Sequence, residues 1–333
     1  MSASVRLRDM LEPGGPGVSG TAEAAGPRPT VAVALPHDAE ILGCVSRAAG
    51  ALARFILVGE ERLIRRVAEE HALRLSEVRF VHGEGDEAAC ALAVDLVRRG
   101  EAQLLMKGQV HTATFTRAVL SKERGLVDPG RLISHVALAE IPSYRKPLLL
   151  TDCGIAIAPG LEEKVQILRN ALEVARALGM RAPKVACVAP VETVNPKIEA
   201  TVHARELEDM GRRGDFGDAL VQGPLGFDLA VCAEAGGIKG VSGPVVGDAD
   251  IVLLPELNAA NVLYKALTCF ASATMASVVA GARVPVVLTS RADTERTRYL
   301  SLALAVRLAE RRGVELTAPP IAPTGPPIAA TGP

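Results

Sequence analysis

The sequence predicts an α/β protein in which a mainly parallel sheet is covered by helices on both faces. Short apolar runs rich in β-branched residues alternate with longer helical patterns along most of the chain, and this alternation is typical of parallel sheets. The chain has 333 residues, of which 49% are hydrophobic. A chain of that length favours about two domains, with a core large enough to be stable without disulfides.

The first half of the chain contains a regular series of strand and helix patterns. Each apolar run is followed closely by a helical pattern, as in consecutive βαβ units. The predicted pairs are 31–35 with 38–51, 55–59 with 60–72, 78–81 with 86–99, and 102–106 with 112–123.

The second half continues this pattern less regularly. The predicted strands are 148–151, 185–190, 218–221, 229–235, 250–255 and 284–289, and the predicted helices are 161–178 and 196–211. The uncharged run 266–282 is short and rich in Ala, Ser and Thr, so it predicts a buried helix rather than a membrane span. Its small side chains suggest close packing at a subunit interface. The composition hardly changes near residue 145, so the boundary between the two halves is indistinct.

Both ends of the chain have low-complexity sequence. Residues 12–29 and 317–333 are rich in Pro, Gly and Ala and have too little bulk to offset the entropy lost on ordering. We therefore expect residues 1–29 and 317–333 to be disordered. The start of the chain has no sustained apolar region, so no secretory signal is evident and we expect a cytoplasmic protein.

The composition disfavours several classes of function. Charged residues make up 23%, the formal charge is -1, aromatic residues make up 3% and Trp is absent. A nucleic-acid-binding protein usually has a basic surplus and aromatic side chains on which bases stack. The cysteines show no CxxC spacing and the histidines are scattered, so we expect reduced thiols and no metal site.

Two predicted strand ends carry most of the candidate functional residues. In open α/β sheets, ligands bind beyond the carboxyl ends of the strands. The first turn and its helix carry Glu256, Asn258, Asn261, Tyr264 and Lys265, and the second turn carries Ser290, Arg291 and Asp293. These amides, carboxylates, hydroxyl and guanidinium groups suit a phosphorylated substrate.

The segment 104–114 is a further candidate anion site. A strand delivers Lys107 and Gly108, and Thr112 stands near the start of a helix whose free amides attract anions. Lys107 is either a phosphate-binding cation or a solvated surface lysine, and His111 either orients a ligand or is structural. Arg131 follows, and an arginine there can hold a phosphoryl group with two parallel hydrogen bonds.

Other motifs have simpler interpretations. Residues 83–88 match the dinucleotide fingerprint GxGxxA but follow the third strand and lack the expected acidic partner. Asp248 and Asp250 resemble a metal site, but they precede a strand, where such residues commonly form a turn. Asp38, after His37, is better explained as a helix N-cap than as a catalytic residue.

Several segments together resemble the phosphate acetyl/butyryltransferase family. These are MKGQVHT (106–112), RLISHVAL (131–138), VETVNPKI (191–198), VQGPLGFDLAV (221–231), a long block at 237–267 and LTSRADT (288–294). The resemblance covers nearly all of residues 30–312. The QGPLGFD and SRADT forms are more similar to the butyryl branch, and to the acyltransferase half of bifunctional hydratase/phosphate acetyltransferases, than to short-chain acetyl enzymes.

The resemblance implies two three-layer α/β domains with mainly parallel sheets and an active-site cleft between them, as in isocitrate and isopropylmalate dehydrogenases. The first domain would be 30–146 plus about 293–316, and the second would be 147–292. It also implies a homodimer that transfers a short acyl group reversibly between coenzyme A and inorganic phosphate. Coenzyme A would be a substrate, and no cofactor would be permanently bound. We expect no nucleic acid or membrane partner.

The resemblance also assigns roles to residues. Ser290 and Arg291 match the family's catalytic pair, and Arg131 falls where another site arginine is expected. The acetyl enzymes carry an aspartate six residues after the catalytic arginine, proposed as the base for the thiol, whereas this chain has Thr297. Asp293 or Glu295 can replace it, and Asp293 is the better placed. The expected substrate-binding residues are Lys107, His111, Thr112, Arg131, Asp228, Asn258, Asn261, Tyr264 and Lys265.

Three alternatives remain open. Cys153 is the cysteine that an acyl-enzyme mechanism would use, although no cysteine is paired with a histidine in sequence. A protein that keeps the fold only to bind coenzyme A or to assemble would explain Thr297. A metal- and nicotinamide-dependent dehydrogenase would need convergent aspartates and an adenosine-binding loop, and the sequence contains neither.

Overall fold

The computed structural model describes residues 6–11, 28–290 and 293–313. Contacts within the chain divide it into two compact units. We call Leu11–Arg131 together with the residues from Ala276 onward the first unit, and Leu132–Met275 together with the residues up to Met10 the second unit.

Helices and strands alternate along both units. The helices are α1 Leu7–Leu11, α2 Ala39–Ala48, α3 Glu61–Glu70, α4 Asp86–Arg98, α5 Thr112–Val119, α6 Leu161–Ala177, α7 Glu199–Arg212, α8 Phe227–Val231, α9 Ala233–Lys239, α10 Leu257–Phe270 and α11 Glu295–Arg311. The strands are β1 Thr30–Ala34, β2 Arg54–Gly59, β3 Val78–His82, β4 Leu104–Lys107, β5 Ser134–Glu140, β6 Leu148–Thr151, β7 Lys184–Val188, β8 Leu220–Leu225, β9 Ile251–Leu253, β10 Thr274–Ala280 and β11 Val286–Val287.

The first unit has a mainly parallel sheet with strand order β3–β2–β1–β4–β11–β10. β10 pairs antiparallel with β11, and the other pairs are parallel. β1 and β4 are fully buried, as expected for parallel strands with both faces covered. The strand–helix pairs predicted for the first half of the chain are confirmed. The long helix α11 packs against α2.

The second unit has strand order β5–β6–β9–β7–β8. β5 is antiparallel to β6, and the remaining pairs are parallel. Its hydrophobic core joins side chains of β6, β9, α8 and α10, including Leu150, Val252, Leu229 and Tyr264. The predicted α/β class with a mainly parallel sheet is therefore confirmed.

Two predictions of secondary structure were wrong. Residues 229–235, predicted as a strand, form the end of α8 and the start of α9. The preceding strand, β8, ends at Leu225. Leu229 and Ala230 are buried, but they belong to the helix α8. The run 266–282, predicted as one buried helix, contains the end of α10 and then β10. The chain reverses at Ser272, whose φ is 51°, and the following TMASVVA has the β-branched residues that favour a strand.

The start of the chain also differs from its prediction. Residues 7–11, expected to be disordered, form α1, in which Leu7 and Leu11 are buried. The amide of Leu7 donates a hydrogen bond of 2.6 Å to the carboxylate of Glu140. Apolar burial and this bond offset the ordering entropy that the composition argument assumed would dominate. Residues 1–5, 12–27 and 317–333, also predicted to be disordered, lie outside the described residues.

The boundaries of the two compact units differ from the predicted domain boundaries. The chain passes between the units after Met10, after Arg131 and after Met275, whereas the predicted boundaries were 146/147 and 292/293. The difference arises because β5, which the sequence did not predict, pairs with β6. β11 pairs with β4 and β10, so the strand before Ser290 belongs to the first unit.

Candidate active site

The carboxyl ends of β1, β4 and β11 lie at one edge of the sheet of the first unit. Met106 of β4 lies opposite Val287 of β11, and Lys107 lies opposite Ala34 of β1. Parallel strands in this register start their following segments side by side. The structure therefore brings the segment that begins at Lys107 next to the segment that leads to Ser290.

Lys107 is buried at the end of β4, with 3% of its surface exposed. Its Nζ donates hydrogen bonds of 3.1 Å and 3.2 Å to the carbonyl oxygens of Gly108 and Val110. The alternative of a solvated surface lysine is therefore wrong. The cation holds the loop after β4 in place.

Gly108 lets that loop lie against β1. A Cβ at this position would overlap the backbone carbonyl oxygens of Ala34 and Leu35. The amide of Gly108 donates a hydrogen bond of 2.8 Å to the carbonyl of Ala34. This contact fixes where α5 begins.

The start of α5 is exposed. His111 is its N-cap residue but makes no side-chain cap hydrogen bond, and Thr112 is the first helical residue. The free amides of a helix start attract anions. A cavity of about 230 Å³ lies beside this helix, and Thr114, Arg117 and Arg124 contribute to its lining.

Arg131 is an exposed residue before β5. Its amide donates a hydrogen bond of 3.0 Å to the carbonyl of Asp128. That bond fixes the backbone at Arg131. The binding of a ligand by its guanidinium stays a prediction.

Ser290, Asp293 and Thr294 lie between β11 and α11, and we call these three residues the Ser290 turn. The amide of Ser290 donates a hydrogen bond of 2.7 Å to Oδ2 of Asp293, and the amide of Asp293 donates one of 3.1 Å to the carbonyl of Ser290. Ser290 is exposed and Asp293 is half-buried. Arg291, the other half of the predicted catalytic pair, lies outside the described residues. Asp293 therefore holds the backbone of the turn with one of its oxygens.

Thr297 has a structural role in the same region. Thr294 is the N-cap of α11, and its hydroxyl accepts the amide of Thr297 at 3.2 Å. The hydroxyls of Thr294 and Thr297 also lie 3.2 Å apart. Position 297 thus supports the start of the helix, and Asp293 is the carboxylate nearest in the chain to Ser290.

Sequence reasoning missed Arg298, a buried cation beneath the Ser290 turn. The residue is 3% exposed, and its Nη2 donates a hydrogen bond of 3.3 Å to the carbonyl of Ser290. Its Nη1 lies 3.6 Å from Oδ1 of Asp38. Asp38 also accepts the amide of Ile41 at 2.9 Å, so its prediction as an N-cap is confirmed. The sequence signal for Arg298 was a charge just before the apolar face of α11.

In the second unit, Glu256 organises the start of α10. Its carboxylate accepts the amides of Asn258 and Ala259, both at 2.7 Å, as the N-cap. These backbone hydrogen bonds, that of Ala259 first, lower the pKa of Glu256. The side-chain amide of Asn258 also donates to Glu256 at 2.9 Å. Asn258 is thus held by its own cap.

One face of α10 carries the exposed polar residues. Asn258, Asn261 and Lys265 are exposed and spaced so that they share one side of the helix. Tyr264 is buried in the core of the second unit, where its ring meets His135 edge-to-face with centroids 6.3 Å apart. Nζ of Lys265 lies 5.3 Å from the centroid of the Tyr264 ring.

Asp152 organises the loop after β6. Its buried carboxylate accepts backbone amides of His135, Gly154, Ile155 and Ala156 at 2.9 to 3.1 Å. Cys153 is buried beside it, and burial raises the pKa of its thiol well above the ordinary value. A thiol that stays protonated is a poor nucleophile.

Asp228 belongs to an exposed charge cluster. Lys239 lies 2.9 Å from Asp228 and 2.8 Å from Glu192. Hydrogen bonding to Lys239 is the main cause that lowers the pKa of both carboxyl groups. The cluster joins the segments 191–198, 221–231 and 237–267 that carried the family resemblance.

The described residues contain neither a metal-binding cluster nor a membrane-spanning helix. Within 6–11, 28–290 and 293–313, no group of three or more His, Cys, Asp and Glu side chains can hold a metal ion. Among the helices in these ranges, none combines the length and hydropathy that a membrane span requires.

Comparison with known proteins gives a consistent result. The family model described as phosphate acetyl/butaryl transferase matches residues 87–306. A probable phosphate butyryltransferase of Bacillus subtilis (strain 168) is 43% identical over 282 residues, covering 84% of this chain and 93% of that protein. A phosphate acetyltransferase of Rhizobium meliloti is 43% identical over 292 residues, covering 87% and 92%.

A solved structure is also similar. A branched-chain phosphotransacylase from Enterococcus faecalis V583 matches with a TM-score of 0.73 and 37% identity, covering 84% of this chain and 98% of that one. The family model covers most of the chain, and the relatives match over nearly their full lengths. The chain therefore belongs to the phosphate acetyl/butyryltransferase family, which confirms the predicted acyltransferase class.

Proposed function

We propose that this chain transfers a short acyl group reversibly between coenzyme A and inorganic phosphate, by direct attack of the thiolate on the acyl phosphate in a ternary complex. The observation that carries the proposal is the juxtaposition of the Lys107 and Ser290 segments at one sheet edge, in a chain of this family. Strand ends of this kind are where open α/β sheets bind ligands.

The transfer needs a base and a site for negative charge. The thiol proton passes to Asp293, the sulfur attacks the carbonyl carbon, and the bond from that carbon to the phosphate oxygen breaks. Positioned proton transfer contributes about 10²- to 10⁴-fold. Ser290 and Arg291 stabilise the charge that develops on the carbonyl oxygen and on the leaving phosphate.

The remaining predicted site residues bind the substrates. In the first unit, the exposed start of α5 at His111 and Thr112 supports phosphate binding, with Lys107 as a buried cation nearby and Arg131 as a second cation. In the second unit we assign substrate contacts to Asp228, Asn258, Asn261, Tyr264 and Lys265. Exposure supports this for all of them except Tyr264, whose burial favours a packing role.

An acyl-cysteine intermediate is less well supported. Cys153 is buried, and its raised pKa keeps the sulfur protonated. A low-pKa, accessible thiol would be needed for that route. Direct transfer avoids the requirement.

The preferred length of the acyl chain is inferred from two sequence motifs. The relatives include a probable butyryl enzyme and an acetyl enzyme at the same 43% identity, so overall similarity does not separate the branches. QGPLGFD and SRADT favour the butyryl branch. One methylene in a pocket is worth only about 1 to 3 kcal/mol of discrimination.

We also infer a two-domain, dehydrogenase-like fold and a cytoplasmic homodimer. The division into two compact units supports the first inference. Exposed apolar side chains on α10, Val262 at 68% and Phe270 at 89%, support the homodimer, because large apolar residues in contact with water often mark a subunit interface.

Two-substrate initial rates test the direct mechanism. We expect thioester formation from coenzyme A and an acyl phosphate, with intersecting lines in double-reciprocal plots and full activity in Cys153→Ser. Parallel lines together with an inactive Cys153→Ser variant would establish the acyl-enzyme route instead. Binding of coenzyme A without turnover would support a non-catalytic protein, the alternative motivated by Thr297.

A further inference from the structure

Arg298 is buried in a place where an apolar side chain would pack without a desolvation cost. It lies in the first turn of α11, and its 3% exposure contrasts with the exposed Arg296 two residues earlier. Burying a guanidinium is unfavourable unless the group is paired and hydrogen-bonded. The contacts of Arg298 therefore indicate what it holds.

Both polar backbone atoms of Ser290 are held by charged side chains. Asp293 accepts the Ser290 amide at 2.7 Å, and Arg298 donates to the Ser290 carbonyl at 3.3 Å. Asp38 lies 3.6 Å from Arg298 and is itself fixed as the N-cap of α2. A chain of contacts thus runs from the start of α2 through Arg298 to Ser290.

The helix α11 also packs through contacts that do not involve Arg298. The guanidinium of Arg47 lies 4.1 Å above the ring of Tyr299, which ties α11 to α2. The hydroxyl of Ser301 accepts the amide of Ser277 at 2.9 Å, which ties α11 to β10. Leu300, Leu302 and Leu304 are also buried. Loss of Arg298 should therefore disturb the Ser290 turn more than the helix.

We propose that Arg298 is a positioning residue of the acyl transfer, which fixes the carbonyl of Ser290 and thereby the direction in which Ser290 follows the end of β11. This inference rests on the proposed function. Arg298 acts through the backbone of Ser290 and needs no contact with substrate. Its counter-charge, Asp38, sets the orientation of the guanidinium.

The experiment compares Arg298→Met and Arg298→Lys with Arg296→Met, a matched control on the same turn of α11. Arg298→Met should lower kcat by about 10- to 100-fold while KM for coenzyme A changes by less than about threefold, since small misplacements of reacting groups cost rate. Arg298→Lys, which keeps the charge, should recover part of kcat. Arg296→Met should behave as wild type.

Hydrogen exchange separates failure of this inference from failure of the proposed function. In Arg298→Met the Ser290 amide should exchange at least about fivefold faster, with the amides of α11 unchanged. This readout is independent of turnover. Wild-type protein without acyltransferase activity would overturn the proposed function, whereas faster exchange would still show that Arg298 holds the turn.

A second variant covers the case in which Arg298→Met does not fold. Asp38→Asn keeps a good N-cap residue but removes the counter-charge, so it should lower kcat less than Arg298→Met and in the same direction. Wild-type kcat and unchanged Ser290 exchange in Arg298→Met would overturn the proposal. Where that variant does not fold, the same result in Asp38→Asn and Arg298→Lys together would overturn it.

Discussion

Single side chains in the first unit show how burial changes the interpretation of a motif. The sequence leaves a surface lysine as an alternative for Lys107, and its 3% exposure and two carbonyl acceptors exclude that alternative. Asp38 could be predicted as an N-cap because capping depends on local sequence. Arg298 could not be predicted, because its partners Asp38 and Ser290 are distant in sequence and meet only through the packing of α11 against α2.

At the catalytic pair, we expect Arg291→Ala to lower turnover by at least about 10²-fold, the scale of losing one oxyanion donor. The fold should be retained, as judged by circular dichroism and the thermal midpoint. Arg296→Ala is the control, since it removes a nearby exposed arginine. A folded Arg291→Ala protein with full activity would refute the assigned role.

At Gly108, we expect Gly108→Ala to destabilise the protein by about 1 to 3 kcal/mol, because the added Cβ overlaps the backbone carbonyls of Ala34 and Leu35. The free energy of unfolding in urea measures the effect. Gly237→Ala is the matched control: no atom lies within 4 Å of its Cβ position, and Ala is favoured over Gly in a helix. Equal stability of the two variants would contradict the proposed overlap.

At the scale of elements, the alternation of strands and helices was predicted well in the first half of the chain, where they follow each other regularly. The first four strand–helix pairs were confirmed because the spacing of apolar residues and the positions of turn residues indicated the same helices and strands. The prediction failed at 229–235 and 266–282, where Ala-rich apolar sequence fits a strand or a buried helix equally well. β5 was missed because it follows α5 without a helix after it, and an antiparallel edge of this kind has no βαβ signature.

Between α6 and α7, Lys164 and His203 form a partly buried contact of 2.9 Å from Nζ to Nδ1. The pKa of His203 is lowered from 6.5, mainly by burial and further by Lys164, although Glu199 and Glu206 oppose the change. The unfolded chain therefore takes up a proton at a higher pH than the folded chain. The stability from the neutral ring is complete above the unfolded pKa and is lost as the pH falls through the folded pKa.

We therefore expect acidification from about pH 7 to about pH 5 to lower the stability of wild type more than that of His203→Gln. Gln keeps an acceptor for Lys164 but does not titrate. His37, whose pKa is also lowered by burial, is present in both proteins and cancels in the comparison. Parallel pH profiles of the urea midpoint would contradict a neutral His203 in the folded state.

At the scale of the whole molecule, the family and the sheet class followed from sequence, because several specific segments occur in one order. The limits of the compact units did not follow, because they depend on which strands pair across long separations. The substrate-binding residues on α10 were only partly predictable from the sequence. Asn258, Asn261 and Lys265 are exposed, whereas Tyr264 is buried. Spacing alone does not reveal that difference.

The inferred dimer makes a prediction at this scale. Phe270→Asp should shift the protein from dimer to monomer in sedimentation velocity, because a charge would replace an apolar side chain that is 89% exposed in one chain. Leu120→Asp, at an exposed apolar residue of the first unit, is the control and should remain dimeric. A dimeric Phe270→Asp protein would place the interface elsewhere.

The most direct test of the account is thioester formation by wild-type protein from free coenzyme A, with butyryl phosphate and acetyl phosphate in parallel and phosphate release as a second readout. We predict turnover with at least one acyl phosphate, with the higher kcat/KM for butyryl phosphate. Folded protein that binds coenzyme A but forms no thioester from either compound would contradict the proposed acyl transfer.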